Sequence, residues 1–209
     1  MFKRFILLLT FILWAQGAFA QSDAALERLK KVACDLNSVE SDFVQEKKLK
    51  MFTSPLILTG KVYLKKPDLF AWHTFSPVHY SLVMNKGTAR QWDEDSRQVQ
   101  TMPLKNNPAF AAAITQMRKW FEGDYRSLAA DYDLGVLQDN PLAVSFSAKK
   151  GFAGAQFIKE INLYFRPDMR YIARIEVIET SGDTTTITFS NTKINVPIDH
   201  AAWEVKSRV

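Results

Sequence analysis

The residues with intrinsic reactivity are few and scattered. The chain has three histidines, His73, His79 and His200, and one cysteine, Cys34. A helical zinc site needs ligands three or four positions apart on one face. No histidine pair has that spacing, and His73 and His79 fall on different predicted strands, so a surface or hydrogen-bonded histidine is the default reading of each. Cys34 has no second cysteine to pair with, and no motif sets a histidine beside it; it reads as a small buried hydrophobe. Asp93, Glu94 and Asp95 cluster carboxylates, the raw material of acid–base catalysis, but on a predicted hairpin tip, where solvated charge is the ordinary outcome. There is no Gly-rich phosphate loop with its lysine and no Gly-x-Ser-x-Gly elbow, so nucleotide and serine-hydrolase chemistry have no foothold. The chain is read as a non-enzyme that needs neither cofactor nor metal.

What it offers instead is apolar surface. Phe43, Val62, Leu64, Phe70, Trp72, Leu82, Trp92, Phe146, Ile187 and Phe189 stand on predicted strands, and Ile114, Met117 and Phe121 on a predicted helix. Periodicity alone leaves two readings open: an ordinary sheet core, or the lining of a lipid pocket. A sheet of many strands tends to curl. Amphipathic helices must then plug its concave side, and a partly filled interior becomes a place for hydrocarbon. These thirteen positions are the candidate lipid-binding set.

The elements that must position them alternate. Leu26, Leu29, Ala33 and Leu36 recur at helical spacing, with Ser22 or Asp23 able to cap the start. From Ser41 the period becomes two: Leu56, Leu58, Gly60, Val62 and Leu64 share one side of a strand and Thr59, Lys61, Tyr63 and Lys65 the other. Further strands cover about 69–75, 78–84, the run through Trp92, and 97–102, joined by turns at Asn85-Lys86-Gly87 and Asp93-Glu94-Asp95-Ser96. Asn107-Pro108 opens a helix through Glu122, with Phe110, Ile114, Met117 and Phe121 on one face and Gly123 as its stop. A shorter helical turn ending near Ala129 follows. Strands resume at 132–137, 142–148, 157–165, 171–180 and 184–195, with turn signals at Asp139-Asn140-Pro141, Arg166-Pro167-Asp168 and Ser181-Gly182-Asp183. The expectation is one mainly β (α+β) antiparallel domain of about ten strands, with a helix before the sheet and a helical insertion midway.

Composition agrees. With 209 residues, 47% hydrophobic and 23% charged, the chain can bury a substantial core. Met1 to Ala20 has the parts of a secretory signal: Lys3 and Arg4, an apolar run from Phe5 to Ala15, and Ala18-Phe19-Ala20 for cleavage before Gln21. The expectation is a signal peptide over 1–20 and a single domain over 21–209. Cys34 lies too far inside the mature chain to be a lipid-bearing first residue, and the expected product is exported, soluble and monomeric. Removing Lys3 and Arg4 takes two charges from a formal net charge of only +5, too little to argue for nucleic acid.

Lys65-Lys66-Pro67-Asp68-Leu69-Phe70-Ala71-Trp72, preceded by Gly60-Lys61-Val62-Tyr63-Leu64 and by Phe43-x-Gln45, resembles the signature of the periplasmic outer-membrane lipoprotein carriers, the LolA/LolB superfamily. The resemblance implies an incomplete β-barrel closed by a lid of two or three helices over an apolar cavity. It implies a soluble carrier of acylated lipoprotein, loaded by an inner-membrane releasing transporter and emptied at an outer-membrane receptor. It also makes Lys66 the lid latch and Phe70 a cavity residue that influences transfer. The family's usual residue at the latch is Arg, whose planar fork an ammonium does not reproduce. Two other readings stay open: a carrier of another acylated lipid, glycolipid or pigment lipid, and an envelope module that recruits a protein.

Overall fold

The structure, a computed structural model, describes residues 27–28, 35–106, 115–116, 118–120 and 125–205. Eleven strands among them are β1 (Ser38–Lys48), β2 (Leu56–Lys65), β3 (Leu69–Ser76), β4 (Tyr80–Asn85), β5 (Thr88–Asp93), β6 (Val99–Pro103), β7 (Tyr132–Asp139), β8 (Leu142–Ala148), β9 (Ile158–Phe165), β10 (Ile172–Glu179) and β11 (Thr184–Ile194). They form one antiparallel sheet in the order β6-β5-β4-β3-β2-β1-β11-β10-β9-β8-β7. Two meanders are thus joined by the pairing of β1 with β11. The end strands β6 and β7 do not pair with each other, so the barrel is incomplete, as expected. The first strand begins at Ser38, earlier than the alternation suggested, because Ser38, Glu40, Ser41 and Asp42 hide its apolar side behind polar residues.

At a strand spacing of about 4.8 Å a flat sheet of eleven would be about 48 Å wide. One face nevertheless carries a single continuous apolar cluster reaching from Ala89 of β5 to Tyr132 of β7. The face is concave. Residues of the insertion between β6 and β7, namely Trp120, Tyr125 and Leu128, belong to the same cluster. Of that insertion, 115–116 and 118–120 are helical and α1 (Tyr125–Leu128) is the short turn expected after Gly123. The start of the long predicted helix at Asn107-Pro108, and Ile114, Met117 and Phe121 on it, lie outside the described residues. So do the signal segment, Cys34 and most of the first predicted helix; Leu36, placed on that helix by its spacing, is buried in the core but not helical.

The convex face has its own smaller cluster, where the C-terminal segment crosses the sheet. Tyr63, Ala71 and Val83 pack with Ala202 and Val205, joined by Trp92, Ile198 and Trp203. His73 pins this segment. Its Nε2 lies 2.8 Å from the Ala202 carbonyl oxygen and its Nδ1 2.9 Å from Ser81 Oγ. The carbonyl can only accept, so Nε2 carries the proton and, in the neutral ring, Nδ1 accepts from the Ser81 hydroxyl. Burial pushes the His73 pKa below its ordinary 6.5, against a smaller upward pull from the Ala202 carbonyl. The unfolded chain therefore takes up a proton that the folded one refuses. Stability is fully present above about pH 6.5 and is expected to fall on acidification through the window below it, by at most about 1.4 kcal/mol per pH unit. Urea melts from pH 7.5 to 5 check this; a His73→Phe chain, although less stable throughout, should show a shallower dependence.

Candidate functional site

The concave face around β1, β2 and β3 explains why its scattered motif residues belong together. Phe43 of β1 pairs with Gly60 of β2. Gly60 has no side chain, so the Phe43 ring leans across that strand and stacks on Trp72 of β3, with ring centroids 4.0 Å apart and planes 27° from parallel. A Cβ added at Gly60 would lie 2.7 Å from Phe43 Cζ and would overlap the His73 carbonyl oxygen. Gly60 is thus the slot over which two aromatic rings meet from strands that are not neighbours. Phe70, fully buried, pairs with Leu64 and Met84 beside them, and Phe189 of β11 pairs with Phe43 from the other side.

Nine of the thirteen candidate positions therefore meet on this face: Phe43, Val62, Leu64, Phe70, Trp72, Leu82, Phe146, Ile187 and Phe189 all belong to the concave cluster. Trp92 does not, which corrects its assignment to the lining. It pairs with Ser81 and so shares the side of Val83, on the convex face beside Trp203. Single-strand periodicity cannot say which side of a strand faces in; the register with β4 does, and it turns Gln91 inward instead. Gln91 hydrogen-bonds Gln100 at 3.0 Å near the edge of the sheet.

The sequence reading missed Trp120, Tyr125 and Leu128. Trp120 stands three positions after Met117, so the helical period already put it on that face. Tyr125 donates from its hydroxyl to the Trp120 carbonyl at 2.7 Å and lies 6.1 Å from Phe146 and 6.0 Å from Phe165, centroid to centroid. Its burial raises its pKa far above the ordinary tyrosine value. The cover is not fully satisfied. Trp120 Nε1 and Gln116 Nε2 are buried without a hydrogen-bond partner, a cost that works against the closed arrangement.

At the turn between β2 and β3, Lys66 is half-buried and its backbone N–H donates to the Asn37 carbonyl at 2.9 Å. Two residues later, Asp68 Oδ1 lies 3.5 Å from Arg118 Nη1 of the helical insertion. The insertion supplies the guanidinium and the turn supplies the acid.

The acid cluster has a structural task. Asp93 accepts from Ser96 N–H at 2.7 Å and Ser96 Oγ at 2.8 Å, and Glu94 Oε2 accepts from the backbone N–H of His79 at 3.2 Å and meets its Nδ1 at 3.1 Å. These hydrogen bonds hold both carboxyls below the usual range. Among the described residues no group of three or more His, Cys, Asp or Glu could hold a metal ion, and no described helix is long and apolar enough to cross a membrane.

An open, curled antiparallel sheet with one apolar face, against which Trp120, Tyr125 and Leu128 of the insertion pack, defines a class of fold, the incomplete barrel. The chain belongs to the family described as outer membrane lipoprotein carrier protein LolA, whose model matches residues 35–206. Outer-membrane lipoprotein carrier proteins of Azotobacter vinelandii and Pseudomonas putida strain KT2440 are 24% and 23% identical to it, covering 96% of this chain in both cases and 93% and 92% of theirs. Among solved structures, the Pseudomonas aeruginosa MucA/MucB complex matches with a TM-score of 0.55 at 14% identity, over 88% of this chain and 60% of that one. A LolA superfamily protein of Nitrosomonas europaea matches with a TM-score of 0.41 at 10% identity, over 85% and 95%. At these identities the structural likeness concerns the fold.

Proposed function

We propose that this chain, after losing residues 1–20, works as a monomer in the periplasm. It shields the acyl chains of lipoproteins between an inner-membrane transporter that releases them and a receptor at the outer membrane. The observation that carries this reading is the continuous apolar concave face against which Trp120, Tyr125 and Leu128 of the insertion pack. Family membership and the curated relatives' names support it.

The energetics of such a carrier are a balance. Each buried CH₂ contributes about 0.8 kcal/mol, so one enclosed acyl chain could gain roughly 10 kcal/mol, enough to make release slow. The described lining is already covered, with Phe43, Phe70 and Phe146 at most 1% exposed. Cargo must therefore displace the cover, and the closed state competes with it and lowers the net affinity. The unpaired Trp120 and Gln116 donors keep that closed state from being too stable. Lys66 and the Asp68–Arg118 pair are the polar attachment of the cover in this reading.

Titration with a fluorescent fatty-acid analogue tests the reading, and mass spectrometry of hydrophobic material co-purified with the native protein identifies the cargo class. Folded protein that binds no acyl probe, under conditions where an established carrier does, refutes it. Asp68→Asn is expected to change stability by less than about 1 kcal/mol, since the pair is partly exposed. The same variant should raise acyl affinity severalfold by freeing the cover. A variant that binds no better than wild type would show that the pair is not a latch.

A further inference from the structure

The hairpin between β1 and β2 has a tip that the carrier reading does not use. Eight consecutive residues from Lys50 to Ile57 are exposed. Five of them, Met51, Phe52, Pro55, Leu56 and Ile57, are apolar, with Met51 81% and Phe52 60% exposed. Hairpin tips are normally built from polar and turn-forming residues, and an exposed apolar run in such a place needs a function to explain it. The tip is shaped rather than trailing. Phe52 N–H donates to the Leu49 carbonyl at 2.9 Å, and Lys50 N–H donates to Asp183 Oδ1 of the β10–β11 turn at 2.9 Å. Leu49, Phe52, Pro55 and Leu56, with Thr53 and Ser54, wall an open hollow of about 460 Å³. Phe157, 67% exposed, belongs to the same end of the sheet, since its carbonyl accepts from Thr180 N–H at 2.9 Å just before that turn.

The charges around the tip narrow the choice of partner. Segment 47–57 contains Lys47, Lys48 and Lys50 and no acid. The acids that face it come from its surroundings. Glu179 meets Lys47 at 3.3 Å, Glu46 meets Lys48 at 3.1 Å, and Asp183 holds the Lys50 backbone while the Lys50 side chain lies along Gly182. The Lys48 side chain is 68% exposed, and a pair this open exchanges readily for another anion. An apolar tip with ammonium groups immediately behind it suits the boundary of a bilayer. The side chains of Met51, Phe52 and Leu56 enter among the acyl chains, and the lysines stay at the level of the phosphates.

We propose that the β1–β2 hairpin is a membrane-docking tip that seats this protein on an anionic phospholipid surface. The proposal builds on the carrier reading, in which cargo is taken from and returned to bilayers, but its test is separate. The purified chain lacking residues 1–20 is sedimented with phosphatidylcholine vesicles with and without phosphatidylglycerol, and each variant is also titrated with the fluorescent fatty acid. Wild type is expected to sediment with the phosphatidylglycerol vesicles. The double variant Met51→Ser, Phe52→Ser should bind them on the order of tenfold more weakly and keep its acyl-probe affinity. Lys48→Gln, Lys50→Gln should weaken binding to the anionic vesicles alone and flatten its salt dependence. Because all four side chains are exposed, thermal melts should be unchanged. Wild type that ignores both vesicles overturns the proposal, as does a Met51→Ser, Phe52→Ser protein that binds like wild type. Loss of acyl-probe binding in that variant would make the hollow a cargo site and also overturns it, and so would a concentration-dependent dimer that the variant abolishes. Vesicle binding by a wild type that takes no acyl probe supports the tip and refutes the carrier.

Discussion

Gly60→Val is expected to lower the unfolding free energy by about 3 kcal/mol or more, and to shift near-ultraviolet circular dichroism through loss of the Phe43–Trp72 stack. The new Cβ would overlap the His73 carbonyl and crowd the Phe43 ring at 2.7 Å. Each obstacle is of a different kind. A ring can swing aside, but the carbonyl belongs to the backbone of β3 and cannot move without opening the β2–β3 ladder. Combining Gly60→Val with Phe43→Leu should therefore recover only part of the loss. The site lies just where the β2–β3 pairing shifts register, between Thr59 and Gly60, so the strain falls on an irregularity that brings the two strands close. Urea denaturation of the two single variants and the double variant measures this. A Gly60→Val chain with the wild-type midpoint would mean that the slot is not closed as described.

Phe70→Ala is expected to lower the stability of the empty protein by about 3–5 kcal/mol, the ordinary cost of deleting a fully buried phenyl group. In a plain core nothing else follows. In a carrier, the void left on the concave face penalises the empty closed state, whereas in the loaded state cargo can occupy it. If only about 1.4 kcal/mol of the cost is confined to the empty state, acyl-probe affinity rises tenfold. Tighter binding by a less stable protein is thus the expected result. Parallel urea melts and fluorescence titrations distinguish the cases, and a destabilised variant with unchanged or weaker probe affinity would assign Phe70 to an ordinary core. Phe146→Ala on the far meander should lose similar stability, since Phe146 is 1% exposed and packs against Tyr125 and Tyr132. Comparison of the two locates the stretch of the concave face that cargo reaches.

Much of this architecture was legible in single strands. The alternation of Val62 and Leu64 against Tyr63, and of Phe70 and Trp72 against Ala71 and His73, marks two opposite faces before any partner strand is known, because successive side chains in a strand point to opposite sides. Asn85-Lys86-Gly87 and Ser181-Gly182-Asp183 announced their hairpins, with Gly87 and Gly182 both at positive φ. The motif from Gly60 to Trp72 carried the resemblance to the carrier family. It did not show that Gly60 exists so that Phe43 can reach Trp72. Trp92 shows the limit from the other side. It alternates as a core residue would, but its face is set by register with β4 and by a C-terminal segment more than a hundred residues away.

The amino-acid order by itself determined the class of protein: a mostly β chain with an apolar stripe along its strands and a helical insertion midway. Those properties depend on neighbours within a few positions, where backbone geometry dictates what a pattern means. Only the tertiary structure decided that β1 pairs with β11 to merge two meanders into one curled sheet, that Asp68 pairs with Arg118 of the insertion, and that His73 is a fastener for the C-terminal segment. Each of these joins residues far apart in the chain. Their contacts are selected by the closing of a whole apolar face against water, a free energy that no local segment contains.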